Sequence, residues 1–126
     1  MRRLRWGWIL LLGAALGCLD NGATPGTLKV KLTTPNAGDG AILFTVSGPA
    51  PLRSAAAAPS LRLFNEPLAA VNRFAVTGPL TTGTVITIEV PDISRASAYT
   101  ATIEQVAATN YQLRPSLVGY SLTVAP

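Results

Sequence analysis

After Cys18 the apolar residues of this chain recur at every second position, in short runs cut off by glycine, proline and asparagine. A period of two lines one face of an extended strand, whereas a helix needs apolar residues three and four apart. Thr84–Val90 shows it most clearly. Ile86, Ile88 and Val90 point one way, Thr87 and Glu89 the other, and Pro91-Asp92 ends the run. Elsewhere Leu28, Val30 and Leu32 alternate with Lys29, Lys31 and Thr33, and Ile42, Phe44 and Val46 share one face. Val71, Phe74 and Val76 supply the apolar positions of a further run, which Gly78-Pro79 is expected to break. Tyr99, Ala101 and Ile103 align in another, and Val118, Tyr120, Leu122 and Val124 in the last.

Between these runs lie turn formers. Pro35–Gly40 and Asn65-Glu66-Pro67 read as turns, and Leu61–Leu63 alternates briefly. Gly48–Ser60, with three prolines around an alanine run, predicts a loop with one helical turn at Ala55–Ala58. Ala107–Ser116 reads either as a long turn or as a short edge strand, because Pro115 cannot donate to a ladder. No stretch holds a helical period for about three turns. Residues 27–126 therefore predict one all-β domain, a Greek-key sandwich of seven to eight strands, large enough for a single hydrophobic core.

Residues 1–17 carry a different pattern. Arg2, Arg3 and Arg5 precede an apolar run from Trp6 to Leu16, and Ala15-Leu16-Gly17 is a small-x-small sequence. That order is the n-, h- and c-region of a bacterial secretory signal, here a signal helix too short to span a bilayer, which takes about 20 apolar residues. The signal also accounts for the net charge of +4, since the seven basic residues beyond it face six acidic ones. What remains is close to neutral and holds no basic patch interleaved with aromatics, so nucleic acid is not an expected partner.

Ala15-Leu16-Gly17-Cys18 resembles the lipobox of bacterial lipoproteins. The resemblance implies cleavage after Gly17, a diacylglyceryl group on the Cys18 thiol and a chain held on the membrane through that residue. Residues 18–26 then form a lipidated tether, and Leu19 beside the cysteine leans towards the outer membrane. Cys18 is also the one cysteine of the chain, and a lone thiol in an oxidising compartment has no intramolecular partner. Ordinary signal peptidase would accept the same bond, leaving the thiol free or paired between molecules. The chain is thus expected to be exported, on the periplasmic or cell-surface side.

A second resemblance concerns the mature part. AILFTVSGP, the hairpin RLFNEPLAAVNRFAVTGPL, TGTVITIEVPD, YTATIEQVAATNYQL and the final GYSLTV follow one another as the strands of immunoglobulin- and cohesin-like sandwiches do. This implies architecture only. The partner docking of cohesins is not carried over, because no site residue of that family maps onto these positions.

Catalytic chemistry has few residues to draw on. Histidine is absent, which removes the commonest general base and the commonest zinc ligand. Glu89 and Asp92 flank Pro91 and have no reason to converge on a substrate. Lys29 and Lys31 belong to a solvated face, and Asp39 and Asp92 read as turn formers rather than metal ligands. No metal or cofactor is expected, and no catalytic residue can be named. Tyr111, beside Asn110, Gln112 and Arg114 in a turn-like stretch, is the candidate ligand contact together with Arg114. It either forms a small recognition patch for sugar or protein or lies on its own domain. The expectation is a non-enzymatic, membrane-anchored envelope lipoprotein whose sandwich is an interaction or structural module, with a cell-surface glycan-binding module as the alternative.

Overall fold

The computed structural model describes residues 22–66 and 68–126. The expected signal at residues 1–17 and the expected lipidation site Cys18 lie outside the described residues. Eight strands form: β1 (Gly26–Thr33), β2 (Asp39–Ser47), β3 (Ser54–Ala57), β4 (Arg62–Asn65), β5 (Val71–Leu80), β6 (Gly83–Val90), β7 (Thr100–Ala108) and β8 (Ser121–Ala125). They make two four-stranded sheets, ordered β3-β6-β1-β8 and β4-β5-β2-β7, with every pairing antiparallel. The two sheets pack as a sandwich, as the alternation predicts. Every connection except β4 to β5 passes from one sheet to the other. No described helix is long and apolar enough to cross a membrane.

The core is the set of inward positions of the four central strands. Leu28, Val30 and Leu32 of β1 and Ile86, Ile88 and Val90 of β6 pack on Ile42, Phe44 and Val46 of β2 and Phe74 and Val76 of β5, all buried. Phe44 and Phe74 are opposite each other across the β2–β5 ladder, with ring centroids 5.6 Å apart and a 39° tilt. That separation lies within the range aromatic pairs favour, about 4.5–7 Å between centroids.

Three departures from strict alternation shape the molecule. Val85 is an extra residue between the pairs Val30–Ile86 and Lys31–Thr84, so Val85 and Ile86 both point inward. Glu104 is a second, between Phe44–Ile103 and Leu43–Gln105, and it lets Ile103 and Val106 both reach the core although they are three residues apart. The third lies at the start of β2. Asp39 pairs with Ala108 and Ala41 with Ala107, which leaves Gly40 without a partner on β7. One inserted residue flips everything beyond it to the opposite face, so Asp39 points inward and is 1% exposed. Gly40 itself has no room for a side chain, since a Cβ there would be 3.0 Å from the Thr109 Cα.

Local expectations fail in four places. Ala55–Ala58 forms no helical turn, because Ser54–Ala57 is the edge strand β3 paired to β6. A four-residue alanine run cannot offset helix nucleation, and the free backbone of β6 supplies every partner it needs. Gly78-Pro79 does not end its strand; β5 runs on to Leu80, and the ladder to β2 absorbs the two residues as a bulge. Val71 is 66% exposed, because Asn72, Phe74 and Val76 take the inward positions of β5. Val118, expected in line with Tyr120 and Leu122, lies before β8 and is 86% exposed. The stretch 107–116 is a tight hairpin, with Ala108 N–H donating to the Gln112 carbonyl at 2.9 Å and a single bridge from Ala107 to Leu113.

Candidate functional site

The outer face of the second sheet carries the feature that core packing does not explain. Its register can be read strand by strand. Phe64 of β4 is opposite Ala75 of β5, Ala75 opposite Leu43 of β2, and Leu43 opposite Gln105 of β7. One step along, Arg62, Thr77, Ala41 and Ala107 follow in the same order, and Leu113 pairs beyond Ala107. The middle strands thus offer Ala41, Ala75 and Thr77 with Leu43 among them, whereas Phe64 and Arg62 rise on β4 on one side and Leu113 and Tyr111 beyond β7 on the other.

The result is a shallow groove along β2 and β5. Two depressions of about 200 Å³ and 230 Å³ share Leu43 and Ala75. A third, of about 370 Å³, continues past Gly40, Thr77 and Gly78 between Arg62 and Tyr111. Phe64 is 54%, Leu113 59% and Tyr111 84% exposed. These large apolar side chains stand exposed around the depressions. One end of the groove is closed by an ion pair across β2, from Arg73 Nη2 to Glu104 Oε1 at 2.5 Å.

The wall carrying Leu113 and Tyr111 is held in place by a buried polar cluster at the far end of the sandwich. Asp39, its side chain wholly buried, accepts from Arg114 Nε at 2.9 Å. It accepts also from the Thr34 hydroxyl at 2.5 Å and the Tyr120 hydroxyl at 2.9 Å. Asn36 Nδ2 donates to the Tyr120 oxygen at 2.7 Å, the Asn36 N–H to the Thr34 oxygen at 3.0 Å, and Arg114 Nη2 to the Gly38 carbonyl at 3.2 Å. A buried carboxylate is tolerated only when paired and hydrogen-bonded in this way. The hydrogen bond to Asp39 holds the Arg114 guanidinium above its ordinary pKa, with Tyr120 adding to it. The cluster is saturated, so its chemistry is that of a clamp between the β1–β2 turn and the 109–120 segment.

Tyr111 and Arg114, named together from sequence, do different work here. Arg114 is committed to Asp39. The cation beside Tyr111 is instead Arg62, which lines the same depression. Tyr111 sits at the tip of its hairpin with a left-handed φ of 67°, a conformation uncommon for a residue with a side chain. Its N–H donates to the Ala108 carbonyl at 2.9 Å. Asp92 accepts from the N–H and hydroxyl of Ser94 and caps the short 3₁₀ segment Ile93–Ala98, while Glu89 accepts from the Thr27 hydroxyl. Lys29 and Lys31 are on the solvated face of β1. Among the described residues no three His, Cys, Asp or Glu side chains come together.

Sequence reasoning missed the groove and the hub of the clamp. Asp39 reads as a turn residue between two glycines, and only the bulge at Gly40 turns it inward. Tyr120 reads as an apolar strand position, yet its hydroxyl is the part that matters. Comparison with known protein families, with curated proteins and with solved structures finds no match for this chain.

Proposed function

We propose that the protein is a non-enzymatic, membrane-anchored β-sandwich that works as an interaction module of the cell envelope. The groove on the second sheet carries the interaction part of this reading, because a smooth, largely uncharged floor between raised walls suits docking and offers no acid–base pair to a substrate. The signal-like residues 1–17 and the single thiol at Cys18 support the anchor. Ile93 N–H donates to the Thr24 carbonyl at 2.7 Å, so the chain is already seated on the domain at Thr24. The six residue steps from Cys18 to Thr24 span about 20 Å at most, which keeps the start of β1 near the bilayer. The Asp39 clamp and the open end of the groove are at the opposite end of β1, facing away.

Glycan binding would draw on Tyr111, whose ring stands beside Arg62, Thr77 and Thr109. Most of the floor behind it is alanine, leucine and glycine, which offer a sugar few side-chain hydrogen bonds, so docking of protein is preferred. Labelling with radioactive palmitate tests the anchor. The full chain is expected to take up label and the Cys18→Ala chain none; an unlabelled wild-type protein released from the cell would overturn it.

A further inference from the structure

We infer that the outer face of the β3-β6-β1-β8 sheet rests against an anionic lipid surface through Lys29 and Lys31, so that the anchored domain leans on the bilayer with its second sheet turned away. The inference rests on the anchored reading above and goes beyond it by giving the domain an orientation.

The fold itself has no use for these two lysines. β1 is an interior strand, with β6 on one side and β8 on the other, so they guard no sheet edge, and lysine is not a residue that strands favour. One row across the sheet runs Ala56, Thr87, Lys29 and Ala125, and the next Thr84, Lys31 and Thr123. Both side chains are exposed above a floor of hydroxyls and methyls, about 7 Å apart along one face of one strand. Neither belongs to an ion pair among the described residues. The acid one row away, Glu89, accepts from the Thr27 hydroxyl. On the groove side the charges balance, Arg62 and Arg73 against Glu66 and Glu104. The first sheet therefore holds two neighbouring cations that repel each other, and an anion from outside relieves that repulsion.

Position selects the anion. Lys29 and Lys31 are three and five residues along β1 from Gly26, about 10 Å and 17 Å. The seat at Thr24 and the link of about 20 Å at most back to Cys18 keep that stretch within reach of the membrane that holds the chain. Lipid phosphates are the anions always at hand there, and they form a plane that a flat sheet face can meet. Thr84, Thr87 and Thr123, paired with the lysines across the sheet, offer hydroxyl donors to the same phosphates. Anchoring also explains how two charges suffice. A free domain needs a larger basic patch to bind a membrane, whereas a tethered one has only to choose an orientation. Each lysine near an anionic surface shifts such an equilibrium about fivefold, and the pair about thirtyfold.

The test uses the lipidated chain isolated from its own membranes. It is placed in vesicles of phosphatidylcholine, alone or mixed with phosphatidylglycerol, that also contain headgroup-spin-labelled lipid. With Cys18 acylated, Thr87→Cys provides a single thiol for a fluorophore on the first sheet, and Thr45→Cys provides one on the outer face of the second as the control. In the anionic vesicles the Thr87 probe is expected to be quenched well above the Thr45 probe, and the excess should vanish in concentrated salt. Lys29→Gln with Lys31→Gln should lower the ratio of leaning to upright domains about thirtyfold. Equal quenching at the two positions, the same excess in vesicles of phosphatidylcholine alone, or an excess that survives both substitutions would overturn the inference. A chain without palmitate overturns the anchor and the orientation together, whereas a palmitoylated chain lacking the Thr87 excess overturns the orientation alone.

Discussion

Gly48 and Tyr99 make a contact whose energetics can be worked through in advance. Gly48 follows β2, and its N–H donates to the Ala70 carbonyl at 3.0 Å. Tyr99 closes the 3₁₀ segment and is 4% exposed. The ring lies against the Gly48 Cα so closely that an added Cβ would be 2.9 Å from the ring Cγ and nearer still to Cδ1 and Cε1. Gly48 does not have the positive φ that Gly78, Gly83 and Gly119 share, so the backbone would accept alanine without strain. The cost of Gly48→Ala in the folded state is therefore steric alone, about 1–3 kcal/mol for forcing a methyl into packed space, set against the gain of about 0.4–1 kcal/mol from a stiffer unfolded chain. At about 4–8 °C per kcal/mol for a domain of this size, the melting temperature should fall by up to roughly 20 °C. With Tyr99→Ala, itself worth about 3–5 kcal/mol, the obstacle is gone and the sign should reverse. Alanine for glycine then restricts the unfolded chain and gains about 0.4–1 kcal/mol. Urea unfolding of the four proteins, followed by far-ultraviolet circular dichroism, measures the cycle. If Gly48→Ala costs the same in both backgrounds, the ring is not what excludes the methyl and the reasoning is wrong.

Two further outcomes follow from the polar residues. Asp39→Ala removes the common acceptor of Thr34, Arg114 and Tyr120, and should speed amide exchange at Ala108, Tyr111 and Arg114 by about tenfold or more, the equivalent of one lost hydrogen bond; exchange unchanged at these amides would show that the hairpin holds its place without the clamp. Asp92 has its pKa lowered, chiefly by the hydrogen bond from the Ser94 hydroxyl, so the carboxylate form is favoured by folding. Its contribution is present in full above the ordinary value of 3.8 and is lost as the pH falls through the folded value. The stability gap between the wild-type chain and Asp92→Ala should hold steady above pH ~5 and narrow below pH ~4, and a gap that widens on acidification would reverse the assignment.

The alternation of Leu28, Val30 and Leu32, of Ile42, Phe44 and Val46, and of Ile86, Ile88 and Val90 determined by itself that this chain forms a sandwich and which side chains fill it. A period of two is a local property of the backbone, and burying one face of each strand leaves few other solutions. The expectation of export rests likewise on local order, in Arg2, Arg3, Arg5 and the run to Cys18. What only the tertiary structure decided is where alternation stops. Bulges at Val85, Glu104 and Gly40 depend on how a partner strand is registered, and composition gives no sign of them. The Gly40 bulge turned Asp39 into a buried hub that draws in Thr34, Arg114 and Tyr120 from distant parts of the chain. The groove arose in the same way. Arg62, Leu43, Ala75 and Leu113 are unremarked in sequence, and they become a trough only because the register sets Ala41 and Ala75 on β2 and β5 between Phe64 and Arg62 on β4 and Leu113 beyond β7.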